Sequence, residues 1–152
     1  MTPSRRRSRP DYVWIDERLA QVPLFAGLSK RQLELVSSLA TRLDVPAGTV
    51  LTREGGQGYE FIIVLEGEVE VRQQGLLVAT RGPGEYFGET ALVDHRPRNA
   101  TVRSTTPVLM EVIARREFHL LLVDVPDIAD HIRATIAERR DATVTWNAVA
   151  SE

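Results

Sequence analysis

The chain contains no cysteine, which excludes disulfides and thiolate metal sites and fits a reducing compartment. It has no apolar run near the roughly 20 residues that a membrane helix needs. The densest short run, Phe61-Ile62-Ile63-Val64-Leu65, has the length of a strand. The arginines near the N-terminus are not followed by an apolar stretch before Asp11, a poor pattern for a secretory signal, so a cytoplasmic location is expected. Charge of one sign is missing too: a formal net charge of −2 creates no global field for nucleic acid or an anionic membrane. No His-x-His pair occurs, and no carboxylate–histidine set around His95, His119 or His131 has ligand spacing, so no metal is expected. Gly55, Gly56 and Gly58 are not followed by Lys-Ser or Lys-Thr, so there is no Walker-type loop. No nucleophile, base and orienting group have local support, and no catalytic activity is expected.

What is present is an ordinary globular composition. With 152 residues, 43% apolar and 26% charged, the chain suits one domain with a sizeable core. Residues 1–10, with Arg5, Arg6, Arg7 and Arg9, read as a disordered basic tail. Residues 11–140 read as the domain, opened by a helical segment. Tyr12, Ile15 and Leu19 share a face that ends at Pro23; Ser29 and Gln32 then form a capping-box pattern ahead of Leu33, Val36 and Leu39. From Thr41 to Ala114 the period changes to that of strands. Pro46-Ala47-Gly48, Glu66-Gly67, Gln74-Gly75 and Pro83-Gly84 supply turns, with Glu66-Gly67 read as a tight reversal. Short strands at this spacing indicate a barrel or jelly roll. Helical spacing returns with Phe118, Leu121 and Leu122. Pro126 opens a last helix whose Ile128, Ile132 and Ile136 form a narrow stripe, suited either to docking on the roll or to a symmetric dimer. Residues 141–152 form a tail too short for another domain, which argues against an appended helix-turn-helix and direct DNA binding.

One stretch, FGETALVDHRPRNATV over 87–102, lies between two strands and concentrates the chemistry. Gly88 leaves the backbone bare for close approach. Glu89-Thr90-Ala91-Leu92 has helix propensity, and one helical turn there aims N–H groups outward as an anion site. Arg98 adds a planar cationic fork for two phosphate oxygens. Glu89 repels phosphate but accepts from a hydroxyl. An acid for a hydroxyl beside a base for a phosphate describes a ribose phosphate. Tyr86 and Phe87 read as core.

This stretch resembles the phosphate-binding cassette of the cyclic nucleotide-binding domain family, and GGQGYEFIIVLEGEVEV upstream resembles that family's glycine-rich loop and strand pair. The resemblance implies an eight-stranded β-roll flanked by N-terminal helices and two C-terminal helices. It further implies that Glu89 accepts from the ribose 2′-hydroxyl and that Arg98 binds the cyclic phosphate. By the same resemblance, backbone donors near Gly88, Ala91 and Asn99 would complete the cradle, and Thr90 and Ala100 are further ligand-binding positions. Family members carry alanine, serine or threonine at Asn99; asparagine can donate to phosphate or accept from a guanine amino group. cAMP is the expected ligand, with cGMP as the alternative. Thr135 and Trp146 are candidate base contacts, Trp146 as a stacking lid worth about 1–3 kcal/mol. The implied output is a shift of the final helix, passed through Leu92 to Phe118 and Leu122 and sensed by a protein partner. The alternatives are a regulatory subunit of a separate enzyme, or a roll that no longer binds nucleotide and serves as an interaction module.

Overall fold

The computed structural model describes residues 5–6, 17–57, 59–88, 97–134 and 137–138. Leading the chain are β1 (Arg5–Arg6), α1 (Glu17–Ala20), a turn of 3-10 helix (Pro23–Phe25) and α2 (Lys30–Leu39). Ser29 caps α2 as its pattern predicts. Ser29 Oγ accepts from the Gln32 N–H at 3.1 Å, and Gln32 Oε1 accepts from the Ser29 N–H at 2.9 Å. The strands follow: β2 (Thr41–Val45), β3 (Val50–Thr52), β4 (Glu60–Glu66), β5 (Val69–Gln73), β6 (Leu76–Arg81), β7 (Tyr86–Phe87), β8 (Thr101–Ser104) and β9 (Val108–Ala114). Then come α3 (Arg115–Asp124) and α4 (126–134), which starts at Pro126.

Two antiparallel sheets form, in the orders β1-β2-β9-β4-β7 and β3-β8-β5-β6. The eight strands β2 to β9 are the roll that the family resemblance implies; β1 is an addition to its edge. Arg5 pairs with Asp44 and Arg6 with Leu43. The expected lack of structure in the tail therefore does not extend to these two residues, whose backbone finds partners on β2.

The apolar run of β4 has a clear cause. Ile62 and Val64 face Val69, Val102 and Met110 between the sheets, whereas Phe61, Ile63 and Leu65 face the helices. A strand covered on both sides has no polar face to display. β9 follows the same rule with one exception: Glu111, 2% exposed, lies directly across from Arg42 and accepts from its Nη2 at 3.3 Å.

Glu66-Gly67 is not a hairpin reversal. β4 and β5 belong to different sheets, so this turn carries the chain from one sheet to the other. Gly67 has φ +93°, and a Cβ there would overlap the Pro107 carbonyl oxygen. Gln74-Gly75 does close a hairpin, with positive φ at both residues (53° and 78°), which matches the right-handed twist of β5 and β6.

The helices pack on the five-stranded sheet. Leu19, Val36, Phe118 and Leu121 join Ile128 and Ile132 in one buried cluster with Phe61 and Tyr86. Docking on the roll thus accounts for the described part of the isoleucine stripe, and a symmetric dimer through Ile128 and Ile132 would have to pull them from this core. Ile136 lies outside the described side chains. Among the described residues no helix is long and apolar enough to cross a membrane.

The cap gives a direct check on this architecture. Ser29→Ala removes the acceptor for an otherwise orphaned N–H and should lower unfolding free energy by about 1 kcal/mol. Urea denaturation should show the lower midpoint with an unchanged slope.

Candidate functional site

β7 ends at Phe87 and β8 begins at Thr101, so residues 88–100 connect two strands of different sheets. Of the residues singled out in the sequence, Gly88, Arg98, Asn99 and Ala100 are described. Glu89, Thr90, Ala91, Leu92, Thr135 and Trp146 lie outside the described residues. Tyr86 and Phe87 are each 5% exposed, core residues as expected.

Gly88 and Arg98 meet. The Arg98 Nη1 donates to Gly88 O at 3.0 Å and its Nη2 donates to Glu60 O at 2.6 Å. Arg98 is 8% exposed, unusual for a guanidinium, and charge-assisted bonds to carbonyls are what make such burial tolerable. The backbone on either side is held as well. Arg98 N–H donates to Gly56 O at 2.7 Å, and Gly55 N–H donates to Arg98 O at 2.8 Å. The glycine-rich loop is therefore a backbone clamp on the arginine.

Gly88 serves Arg98 before it serves any ligand. Its φ is +95°, and a Cβ would stand 2.5 Å from Arg98 Nη1 and 2.6 Å from Glu60 O. The sequence suggested a bare backbone for ligand approach; the structure adds that the missing side chain makes room for the guanidinium itself.

A cavity of about 250 Å³ opens beside this cluster. Val50 to Arg53 of β3 and the residue after it form one wall; Gly56, Gln57, Tyr59, Glu60 and Arg98 form the rest. The β3 wall, Tyr59 and the Glu60 carbonyl escaped the sequence reading. The signal available for them was the run of glycines at 55, 56 and 58, which marks a loop where backbone atoms, not side chains, make the contacts.

Asn99 is exposed, and its carbonyl oxygen accepts from Gln73 Nε2 at 2.9 Å. Ala100 is buried, and its carbonyl accepts from Thr52 Oγ1 at 3.2 Å. The tip of the β5–β6 hairpin is tied to the same region: Gln74 N–H donates to Glu54 Oε1 at 2.9 Å, and Glu54 N–H donates to Thr101 Oγ1 at 3.0 Å. Arg72, across from Thr101, is engaged by Glu70 at 3.0 Å and by Gly75 O at 3.0 Å. The hydrogen bond from Arg72 holds the Glu70 carboxyl below the ordinary carboxylate range, and Glu70 raises Arg72 in turn. Among the described residues no three His, Cys, Asp or Glu side chains converge on a point that would suit a metal. His131 lies beside the Tyr86 ring, with centroids 6.4 Å apart.

An eight-stranded antiparallel roll whose β7–β8 connection returns a buried arginine to its own first residue defines a class of small-ligand receptor domain. The family model described as "Cyclic nucleotide-binding domain" matches residues 42–124, more than half of the chain. This chain belongs to that family. It is 38% identical over 138 residues to a cyclic nucleotide-gated potassium channel of Mesorhizobium japonicum, covering 90% of this chain and 38% of that protein. It is 32% identical over 111 residues to a cAMP-dependent protein kinase regulatory subunit of Schizosaccharomyces pombe, covering 72% of this chain and 27% of that protein. The chain thus spans well under half the length of these relatives. Among solved structures, the Thermus thermophilus catabolite activator protein superposes with a TM-score of 0.74 at 28% identity, over 84% of this chain and 63% of that one. A cyclic nucleotide-binding domain from Methylobacillus flagellatus gives 0.68 at 26% identity, over 83% and 76%.

The fit between Gly88 and Arg98 is testable without any ligand. Gly88→Ala places an L-residue in the left-handed region, at about 1–2 kcal/mol, and drives a methyl into the guanidinium. The variant should unfold at clearly lower urea, and an unchanged midpoint would mean that the arginine sits elsewhere.

Proposed function

We propose that this domain is a receptor for cAMP that relays ligand binding to a protein partner through its C-terminal helices. The observation that carries the reading is the buried Arg98, lining the cavity with its guanidinium aimed by two carbonyl oxygens. Carbonyl dipoles orient the cation, and a cyclic phosphate offers paired oxygens in a form that a guanidinium fork can grip. In the proposed complex, backbone donors near Gly88, Ala91 and Asn99 share the phosphate and Glu89 accepts from the ribose 2′-hydroxyl. Thr135 and Trp146 are assigned to the base on the strength of the sequence alone.

The relatives support the relay. One is named a nucleotide-gated channel and the other a kinase regulatory subunit, so in both names the nucleotide controls something other than itself. For this chain the packing offers a route: α3 and α4 share one buried cluster with Phe61 of β4 and Tyr86 of β7, the strands whose neighbouring residues hold Arg98. Ligand shifts such a system only if it prefers one arrangement of the helices over another.

Calorimetric titration with cAMP, cGMP and 5′-AMP tests both the class and the choice of base. cAMP should bind most tightly and 5′-AMP least. Arg98→Ala should weaken cAMP at least tenfold, since a lost bond to a charged group is worth about 1.5–3 kcal/mol and about 1.4 kcal/mol is a factor of ten. Circular dichroism should confirm that the variant is folded. Equal affinity of wild type and variant would remove Arg98 from the phosphate site, and tighter cGMP would reassign the ligand.

A further inference from the structure

The Arg98 guanidinium rests on a carbonyl that is itself held in place. Glu60 O accepts from Arg98, and Glu60 is paired in the sheet with Ala114, the last residue of β9. One residue earlier, Tyr59 O accepts from the Arg115 backbone N–H at 2.7 Å. The Arg115 guanidinium carbon also lies 6.0 Å from the centre of the Tyr59 ring, within cation–π reach. Tyr59 is 57% exposed, so neighbouring core does little to hold its side chain. The Arg115 Nε is buried and meets no hydrogen-bond acceptor. Hydrogen bonding at Nε thus gives this side chain no reason to occupy its position; the Tyr59 ring does.

We infer that Arg115 is a positioning residue for Arg98. Its N–H and its guanidinium fix the Tyr59–Glu60 peptide, and the Glu60 carbonyl then aims the arginine that faces the cavity. The inference rests on the proposed role of Arg98 in gripping phosphate, but it concerns a residue outside the cassette, at the first turn of α3. It also means that the start of α3 and the ligand-facing cation are bonded to adjacent peptide units, on either side of the Glu60 Cα.

The side-chain link can be cut alone, or together with the backbone link. Arg115 is the first residue of α3, where proline is tolerated because that N–H has no partner within the helix. Ala114, at φ −68° and ψ 157°, already has the extended backbone that precedes proline comfortably. Arg115→Pro therefore deletes the bond to Tyr59 O together with the guanidinium, with the helix intact, and its excess over Arg115→Ala reports the backbone link. Arg115→Ala keeps that bond and deletes the guanidinium, and Arg115→Lys restores a cation over the ring. In cAMP titrations, Arg115→Pro and Arg115→Ala should each raise Kd about three- to tenfold, and Arg115→Lys should recover most of the loss. In an Arg98→Lys background, which cannot use the carbonyl in the same way, the same changes should shift Kd less than about twofold. Equal losses in both backgrounds would show a merely structural role and overturn the inference, as would unchanged Kd in both single variants. Nitrogen NMR of the Arg98 guanidinium, recorded without nucleotide, gives an independent reading. Its rotation should be faster in Arg115→Pro than in wild type, and identical rotation would overturn the inference. Loss of binding in Arg98→Ala together with no effect at Arg115 would sink this inference alone, leaving the functional reading standing.

Discussion

The site is organised by one constraint: a guanidinium, which prefers water, is held inside the protein. Arg98 tolerates burial because Gly88 O and Glu60 O meet two of its N–H groups at short range. That arrangement dictates much around it. The residue at 88 must lack a side chain and take a left-handed backbone. The start of β4 must present a carbonyl to the arginine. The glycine-rich loop must lie close enough for Gly55 and Gly56 to bracket the Arg98 peptide. Breaking such a cluster leaves a buried charge without compensation, which costs more than the pair contributes when intact. The chain's investment in glycine at 55, 56 and 88 follows from the arginine.

β4 is the strand that makes this precision affordable. It lies between β7 and β9 and buries both faces, so its position is fixed by the core between the sheets and by the core under the helices. A carbonyl at the end of so well-held a strand is a stable reference point. The described ends of the β7–β8 connection are held too: Gly88 follows β7 directly, and Arg98 to Ala100 are tied to Gly55, Gly56, Gln73 and Thr52.

Local chemistry was legible in the sequence, and geometry between distant segments was not. The Ser29–Gln32 box and the Gln74-Gly75 turn depend on residues three or fewer apart, so their signatures sit in one short window. Phe61 to Leu65 announced a buried strand, though not that it divides two cores. Glu66-Gly67 read as a tight reversal, and a turn signal says that the chain changes direction, not which sheet it enters. The Arg98–Gly88 pairing was anticipated as two ends of one site. Their direct contact was missed because the acceptors are carbonyl oxygens, which every residue type carries. Pairing of Arg5 and Arg6 with β2 was missed for the same reason: strand addition reads backbone, and a short arginine run resembles a solvated tail.

The alternation of a strand supplies the link from site to helices. Side chains point across the sheet while carbonyls point along it, so one short segment can face two tasks at once. At the start of β4, Glu60 gives its carbonyl to Arg98 while the next residue, Phe61, stacks on Phe118 of α3 with ring centres 4.7 Å apart. At the end of β7, Gly88 gives its carbonyl to Arg98, and Tyr86 two residues earlier lies against Phe61 at 5.2 Å and beside His131 of α4. The two acceptors of the arginine are thus neighbours in sequence to the two rings on which the helices rest. The Glu60 carbonyl belongs to the peptide that leads into Phe61, whereas the Gly88 carbonyl lies two peptide units beyond Tyr86. Close packing leaves such rings few alternative positions, which ties the strands that carry the two acceptors to the helices packed on them.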